Sequence, residues 1–330
     1  MRKCRAAALR EPARAISAKS AMRLRSSMLK RSLKLIREGG DCRERRHLRT
    51  LTGMTTQRIA VFGATGTVGS LLVPLLVKQG HQVRALSRKA TALPGAEAVR
   101  FDFTQPEQLP AVLDGIDAAY LIMPADSVEV LAYLGPVIRA AAERGVKMVL
   151  QSAMGTEAEE ATPYRQVELQ VERSGVPFVI LRPNWFSDNF HLMWSQDVHA
   201  GKLPLPAGTG KTSFIDARDI ADAAAVALTT SRFDGQGLTL TGPKALGFDE
   251  AAAIASRALG KPLEYVALTE EAFIQRMRGF GFDAPYAGML AALFAAVREQ
   301  WSAPVTDTVP AMTGHPARPF ERYAEDRLKS

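Results

Sequence analysis

The sequence predicts an α/β fold, a doubly wound parallel sheet with a smaller, mostly helical C-terminal lobe. Three observations predict it. Short apolar runs of strand length alternate with helix-like runs between residues 58 and 184. A glycine-rich turn joins the first strand to the first helix. Beyond residue 247 helical spacing takes over.

The elements follow in order. Arg58-Ile59-Ala60-Val61-Phe62 is mostly apolar, as a strand buried on both faces should be. Gly63-Ala64-Thr65-Gly66-Thr67-Val68-Gly69 follows at once, and Ser70 to Gly80 reads as a helix ending at a glycine cap. Pro74 falls near its first turn, where a missing N–H costs least. Gln82 to Leu86 is the second strand. The unit takes about 30 residues, the setting that gives a glycine motif its weight. Ala98 to Phe103 is the third strand, Gln108 to Leu113 a short helix, and Ala118 to Met123 the fourth strand, stopped by Pro124. Val128 to Arg144 is a helix capped by Gly145. Val146 to Leu150 and Phe178 to Leu181 are the fifth and sixth strands. Lys202 to Lys211 reads as a loop, Asp219 to Leu228 as a helix capped near Asp216 or Asp219, and Leu238 to Thr241 as a strand. Phe248 to Leu259, Glu270 to Gly281 and Ala284 to Trp301 are helical and would build the lobe.

The turn has the spacing G-x-x-G-x-x-G. Gly63 permits the tight bend, Gly66 lets backbone approach a pyrophosphate, and Gly69 lets the helix pack closely on the strand. The helix N-terminus offers N–H groups and a positive dipole end. This is a Rossmann-type site for a nicotinamide dinucleotide. An enzyme that prefers NAD usually has Asp or Glu at the end of the second strand, for the ribose 2′-hydroxyl. Here Ser87-Arg88-Lys89 stands there. A guanidinium grips a 2′-phosphate that a carboxylate would repel, so NADPH is expected at Arg88 and Lys89, with NADH the alternative. Ligands in such sheets lie beyond the carboxyl ends of the strands. That places Asp102 and Phe103 beside the adenine. Met123, Pro124, Gln151, Ser152, Ala153 and the corner Arg182-Pro183-Asn184 come around the nicotinamide half.

Charge divides the chain. Residues 1–53 hold 16 Lys/Arg against 4 Asp/Glu, whereas the remainder holds 26 against 30. The overall net charge of +8 is therefore a property of the leader. The body is mildly acidic and gives no electrostatic case for nucleic acid. No apolar run reaches the ~18–20 residues of a membrane span. The leader lacks a continuous apolar segment, so a secretory signal is not expected. A disordered arm, or an upstream start preceding a native start at Met54, is the expectation for residues 1–53. Both cysteines, Cys4 and Cys42, lie in that leader, so the body has no disulfide framework and no Cys-based metal site. A cytoplasmic location fits, and no metal is expected. The division that follows is a leader over 1–53, a nucleotide-binding domain over 54–184 with return segments near 212–242, and a substrate lobe over 185–330.

The chain resembles the NmrA-like atypical short-chain dehydrogenase/reductases over about residues 57–325. The resemblance rests on Gly63 to Gly69, Val167-Glu168, Ser174 to Pro177, Leu181 to Phe186 with Asn189, and Gly208 to Lys211. Phe214 to Ala221 and Thr313 to Phe320 complete it. Within the family it looks most like the branch of NAD(P)H-dependent quinone oxidoreductase 2, triphenylmethane reductase and azoreductase. The resemblance implies reduction of quinones and dyes. It also implies cofactor contacts at Gly63, Thr65, Gly66, Thr67 and Val68, at Arg88, at Gln151 to Thr156, and at Arg182. Some family members instead bind NADP and control a transcription factor without turnover, which is the alternative reading.

One departure matters. Typical short-chain dehydrogenases use Tyr-x-x-x-Lys, in which the lysine lowers the tyrosine pKa for proton exchange. Here Tyr164 is followed four residues on by Glu168, and a carboxylate would raise a phenol pKa. Tyr164 is the catalytic candidate, either over the nicotinamide or as a hydrogen-bond donor. Quinones, azo bonds and cationic dyes suit such a site, because they accept hydride with little acid catalysis. Trp185, Phe186, Phe190, His191, Met193 and Trp194 form one aromatic group and Phe280, Phe282, Tyr286 and Met289 another. Most of these are expected to be core. The two groups would face each other across a flat aromatic substrate, with Asn184 and His191 as polar contacts beside Trp185 and Phe186. The protein would act as a monomer or homodimer.

Overall fold

A computed structural model describes residues 56–122 and 129–329. Met123, Pro124 and the leader of residues 1–53 lie outside the described residues. Seven parallel strands form the central sheet: β1 (Arg58–Phe62), β2 (Gln82–Ser87), β3 (Glu97–Arg100), β4 (Ala118–Ile122), β5 (Lys147–Gln151), β6 (Phe178–Pro183) and β9 (Gln236–Leu240). Their order is β3-β2-β1-β4-β5-β6-β9, the doubly wound arrangement the sequence predicts. The order reverses between β1 and β4, and the crevice for a nucleotide opens there at the carboxyl ends.

Strand alternation builds two cores. Ile59 and Val61 of β1 face a layer that includes Leu72 and Leu76 of α1 (Gly69–Lys78) and Ile220 and Ala224 of α6 (Ala217–Thr229). Ala60 and Phe62 face the opposite layer, with Leu134 and Ile138 of α3 (Val130–Glu143) and Val167 and Val171 of α4 (Pro163–Glu172). Both faces of β1 are wholly buried, which is why its sequence shows no polar alternation. A two-turn crossover near residues 106–112 carries α2 (Leu109–Val112). The predicted third strand ends early, at Arg100, so Asp102 and Phe103 lie beyond it in the loop.

The chain leaves β6, visits the lobe and returns. Asp216 caps α6, its Oδ1 accepting from the Arg218 N–H at 2.8 Å, and β9 closes the sheet. Lys202 to Lys211, read as a loop, instead contains β7 (Lys202–Leu205). This strand follows α5 (Ser195–His199) and pairs in parallel with β11 (Glu264–Ala267). Pro204 hid it, since proline is confined to edges and short pairs. A second small pair joins β8 (Lys211–Thr212) to β10 (Leu246–Gly247).

The rest of the lobe is helical: α7 (Phe248–Leu259), α8 (Glu270–Gly279), α9 (Ala284–Arg298), α10 (Thr308–Thr313) and α11 (Phe320–Arg327). Its core is aromatic. Phe190, Phe214, Phe248 and Phe320 interlock edge-on or tilted at centroid distances of 4.9–5.8 Å. The tail is tied back to α6: Asp219, which is fully buried, accepts from the Arg318 backbone N–H at 2.7 Å and pairs with its guanidinium. Arg318 also reaches Asp222 at 2.9 Å. Among the described residues no helix is long and apolar enough to cross a membrane.

Candidate functional site

The glycine turn lies between β1 and α1 at the switch point. Gly63 has a φ of +67° and a side chain there would meet Ile122 Cγ2 at 2.7 Å. A Cβ on Gly69 would stand 2.2 Å from the Gly63 carbonyl, so α1 closes on the turn only with glycine there. The turn is held by the Gly66 N–H donating to Gly63 O at 2.9 Å and the Ser70 N–H to Gly66 O at 3.0 Å. No side chain caps α1 at Val68. The N–H groups of Thr65, Thr67, Val68 and Gly69 meet no protein acceptor among the described residues. A dinucleotide fits this cradle: bare N–H groups at a helix N-terminus, with backbone where side chains would obstruct a diphosphate.

At the end of β2, Ser87 is buried and its Oγ accepts from the Thr91 N–H at 3.2 Å. Arg88 and Lys89 next to it are exposed. Asp102 is the neighbouring carboxylate. Hydrogen bonds from the Thr104 backbone and hydroxyl hold it below the usual carboxylate range, and the Arg88 charge adds to that. Phe103 is half-buried against Phe62 and Phe101.

Beyond β5, Gln151 is buried and accepts from the Tyr120 hydroxyl. Ser152 is also buried, its N–H donating to Leu181 O at 2.7 Å, while Ala153 is exposed. Ser152 contacts Glu168, which is wholly buried. Arg182 meets Glu168 with two bonds, Nε to Oε1 at 3.0 Å and Nη2 to Oε2 at 2.8 Å. Arg165 adds a third bond at 2.8 Å and also pairs with Glu172. Glu157 approaches Arg182 at 3.3 Å. Arg182, expected among the cofactor contacts, is buried with its Nε and Nη2 on Glu168.

Asn184, expected beside the substrate, is engaged by its own chain. Its Nδ2 donates to Ser213 Oγ and Ser302 O, both at 2.7 Å, and its Oδ1 accepts from the Trp185 N–H. It is 4% exposed and staples the end of β6 to the segment after α9. Trp185 is half-buried, 4.8 Å from Phe294 and stacked on Trp194. Phe186 is half-buried, packs on the α1–α6 core and bridges to Ile215 through its backbone. His191 faces elsewhere. It lines a hollow of about 400 Å³ whose opposite wall is the glycine turn at Thr65, Gly66 and Thr67. Asp188 and Arg327 line it too, and sequence reading singled out neither.

Tyr164 is half-buried, and burial pushes its phenol pKa up, with Tyr286 adding to the shift. Tyr286 of α9 stacks on the exposed Phe282 at 5.2 Å, and its charge acts on Tyr164 of α4. Burial alone would raise the Glu168 carboxyl, but the bonds from Arg182, Ser152 and Arg165 reverse this and hold it below its ordinary range.

The NmrA-like family matches residues 55–313. The NAD(P)H azoreductase of Xenophilus azovorans is 37% identical over 281 residues, 81% of this chain and 96% of that protein. The structure of Citrobacter sp. triphenylmethane reductase complexed with NADP(H) aligns with a TM-score of 0.70 at 24% identity, covering 82% of this chain and 99% of that one. The negative transcriptional regulator NmrA in complex with NADP aligns at 0.65 with 18% identity, covering 83% and 95%. At these identities the two structures share the fold.

A buried ion pair whose carboxyl titrates low stabilises the fold above the ordinary carboxylate pKa, and this is lost as pH falls through the lowered value. Glu168→Gln leaves the Arg182 charge uncompensated and is expected to cost about 3–5 kcal/mol near neutrality. In urea unfolding, the gap between wild type and variant should shrink from about pH 7 to about pH 3. A constant gap would remove the charge from the account.

Proposed function

The chain belongs to the NmrA-like family, and from that premise we propose an NAD(P)H-dependent reductase, NADPH preferred, that reduces a quinone-like, azo or dye-like aromatic acceptor. The observation that carries this reading is the position of Glu168. It stands where a relay lysine would stand and is fully engaged by Arg182 and Arg165. No lysine stands there to lower the Tyr164 pKa, burial and Tyr286 raise it, and acceptors that need a phenolate relay are disfavoured. Acceptors with a strongly electrophilic centre need mainly position and a dry, apolar slot. The 37%-identical relative named an azoreductase supports that class.

When bound, the nicotinamide supplies the hydride, and water protonates the reduced acceptor. The chain's own residues hold and orient. The N–H groups of Thr67 and Val68 receive the diphosphate, and Arg88 and Lys89 receive the 2′-phosphate. Phe282 and Tyr286 form a stacked pair on which an aromatic acceptor would lie.

Purified protein with NADPH and a panel of quinones and azo dyes is expected to oxidise the cofactor with at least one acceptor. Tight NADPH binding with no oxidation across the panel would favour a dinucleotide-sensing regulator instead. Arg88→Ala should weaken NADPH by about 1.5–3 kcal/mol and leave NADH unaffected, as expected for a charged hydrogen bond. An unaltered cofactor preference would sink the Arg88 assignment. Tyr164→Phe should leave the pH–rate profile in place and lower turnover less than about tenfold, because a lost acid–base group typically costs 10²–10⁴-fold. A larger loss would make Tyr164 the proton donor.

A further inference from the structure

The hollow facing the glycine turn is walled by two parts of the chain far apart in sequence. One wall is Thr65, Gly66, Thr67 and Ser70. The other is Asp188, His191 and Arg327, the last from the end of α11. We propose that the Arg327 guanidinium is a further anchor for the diphosphate of the dinucleotide, carried across the glycine turn by the C-terminal helix. This rests on the dinucleotide reading above and adds a residue to it.

The first ground is charge. Residues 63–71 contain no lysine or arginine, so the turn offers a diphosphate only N–H groups and hydroxyls. Arg327 is the cation that the facing wall supplies. Arg218 and Arg322 both pair with Asp326, whereas Arg327 makes no hydrogen bond or ion pair among the described residues. Its charge acts instead on Asp188 and His191. Asp188 would oppose an anion, but it is 3% exposed and its Oδ2 is taken by the Ala217 N–H at 3.0 Å.

The second ground is placement. Tyr323, one turn before Arg327, is fully buried, and its hydroxyl meets His191 Nδ1 at 2.7 Å. Arg218 holds Asp326 at 2.6 Å. The helix is thereby fixed at two points in the turn that precedes Arg327, and a long side chain at that point reaches the hollow without ordering a loop.

Dissociation constants for NADPH, NADH and adenosine 2′,5′-bisphosphate, which lacks the diphosphate bridge, separate the roles. Arg327→Ala should weaken NADPH and NADH alike by about tenfold or more and leave the bisphosphate within about twofold. Arg327→Lys should recover part of the loss, and Arg322→Ala should change none of the three. Unchanged NADPH and NADH affinity in Arg327→Ala would overturn the inference while sparing the dinucleotide reading. An equal loss for all three ligands would overturn it in favour of a structural role. A wild-type protein that binds neither dinucleotide would overturn both.

Discussion

A single buried carboxylate organises the carboxyl ends of the central strands. Glu168 has no exposed surface, so its charge survives only because three donors surround it. Arg182 is the main partner, and the pair joins α4 to the end of β6. Ser152 brings in the end of β5, and Arg165 returns to the same carboxylate from one turn earlier on α4. Packing is arranged around this fork. A Cβ on Gly237 of β9 would come within 2.7 Å of the Arg182 guanidinium, so the neighbouring strand is open there by necessity. A buried pair of this kind adds little net stability over an apolar substitute, yet losing one partner is costly. Its value is geometric: it fixes where β5 and β6 end, and therefore where the crevice begins.

The glycine turn imposes the complementary constraint from the other side of the switch point. Gly63 and Gly69 let α1 begin almost against the turn carbonyl. The helix then presents N–H groups that nothing in the described chain satisfies. Orphan donors at a helix start are tolerated where water or a ligand can reach them. The two constraints are independent. One is a matter of missing side chains, the other of charges that must not be separated.

This difference explains what the sequence disclosed. The strand order and the turn were legible because strands buried on both faces read as apolar runs and three spaced glycines have few other uses. Arg88 drew notice from its position alone, just after β2. The internal bonds of Arg182 and Asn184 were not legible, because a polar residue at a strand end looks the same whether it faces a ligand or a neighbouring chain segment. Their partners, Glu168 for one and Ser213 and Ser302 for the other, lie 14 to 118 residues away. β7 and β11 were missed because each has four residues and gains its meaning only from the other. Asp188 and Arg327 carried no local signal, since 139 positions separate two residues that share one hollow.

The aromatic residues show the limit of grouping by sequence. Phe190 and Trp194 are buried, and with Phe214, Phe248 and Phe320 they form the lobe interior. Trp185 is drawn into the same stack. These rings make the lobe stiff and leave few of its aromatics to touch a substrate. Phe280 and Phe282 remain exposed, at 53% and 45%, and Phe282 lies on Tyr286 beside Tyr164. The exposed rings therefore lie on the short stretch between α8 and α9 more than on the tryptophans after β6. That stretch can vary without disturbing either core, because its rings pack at the rim and not within them.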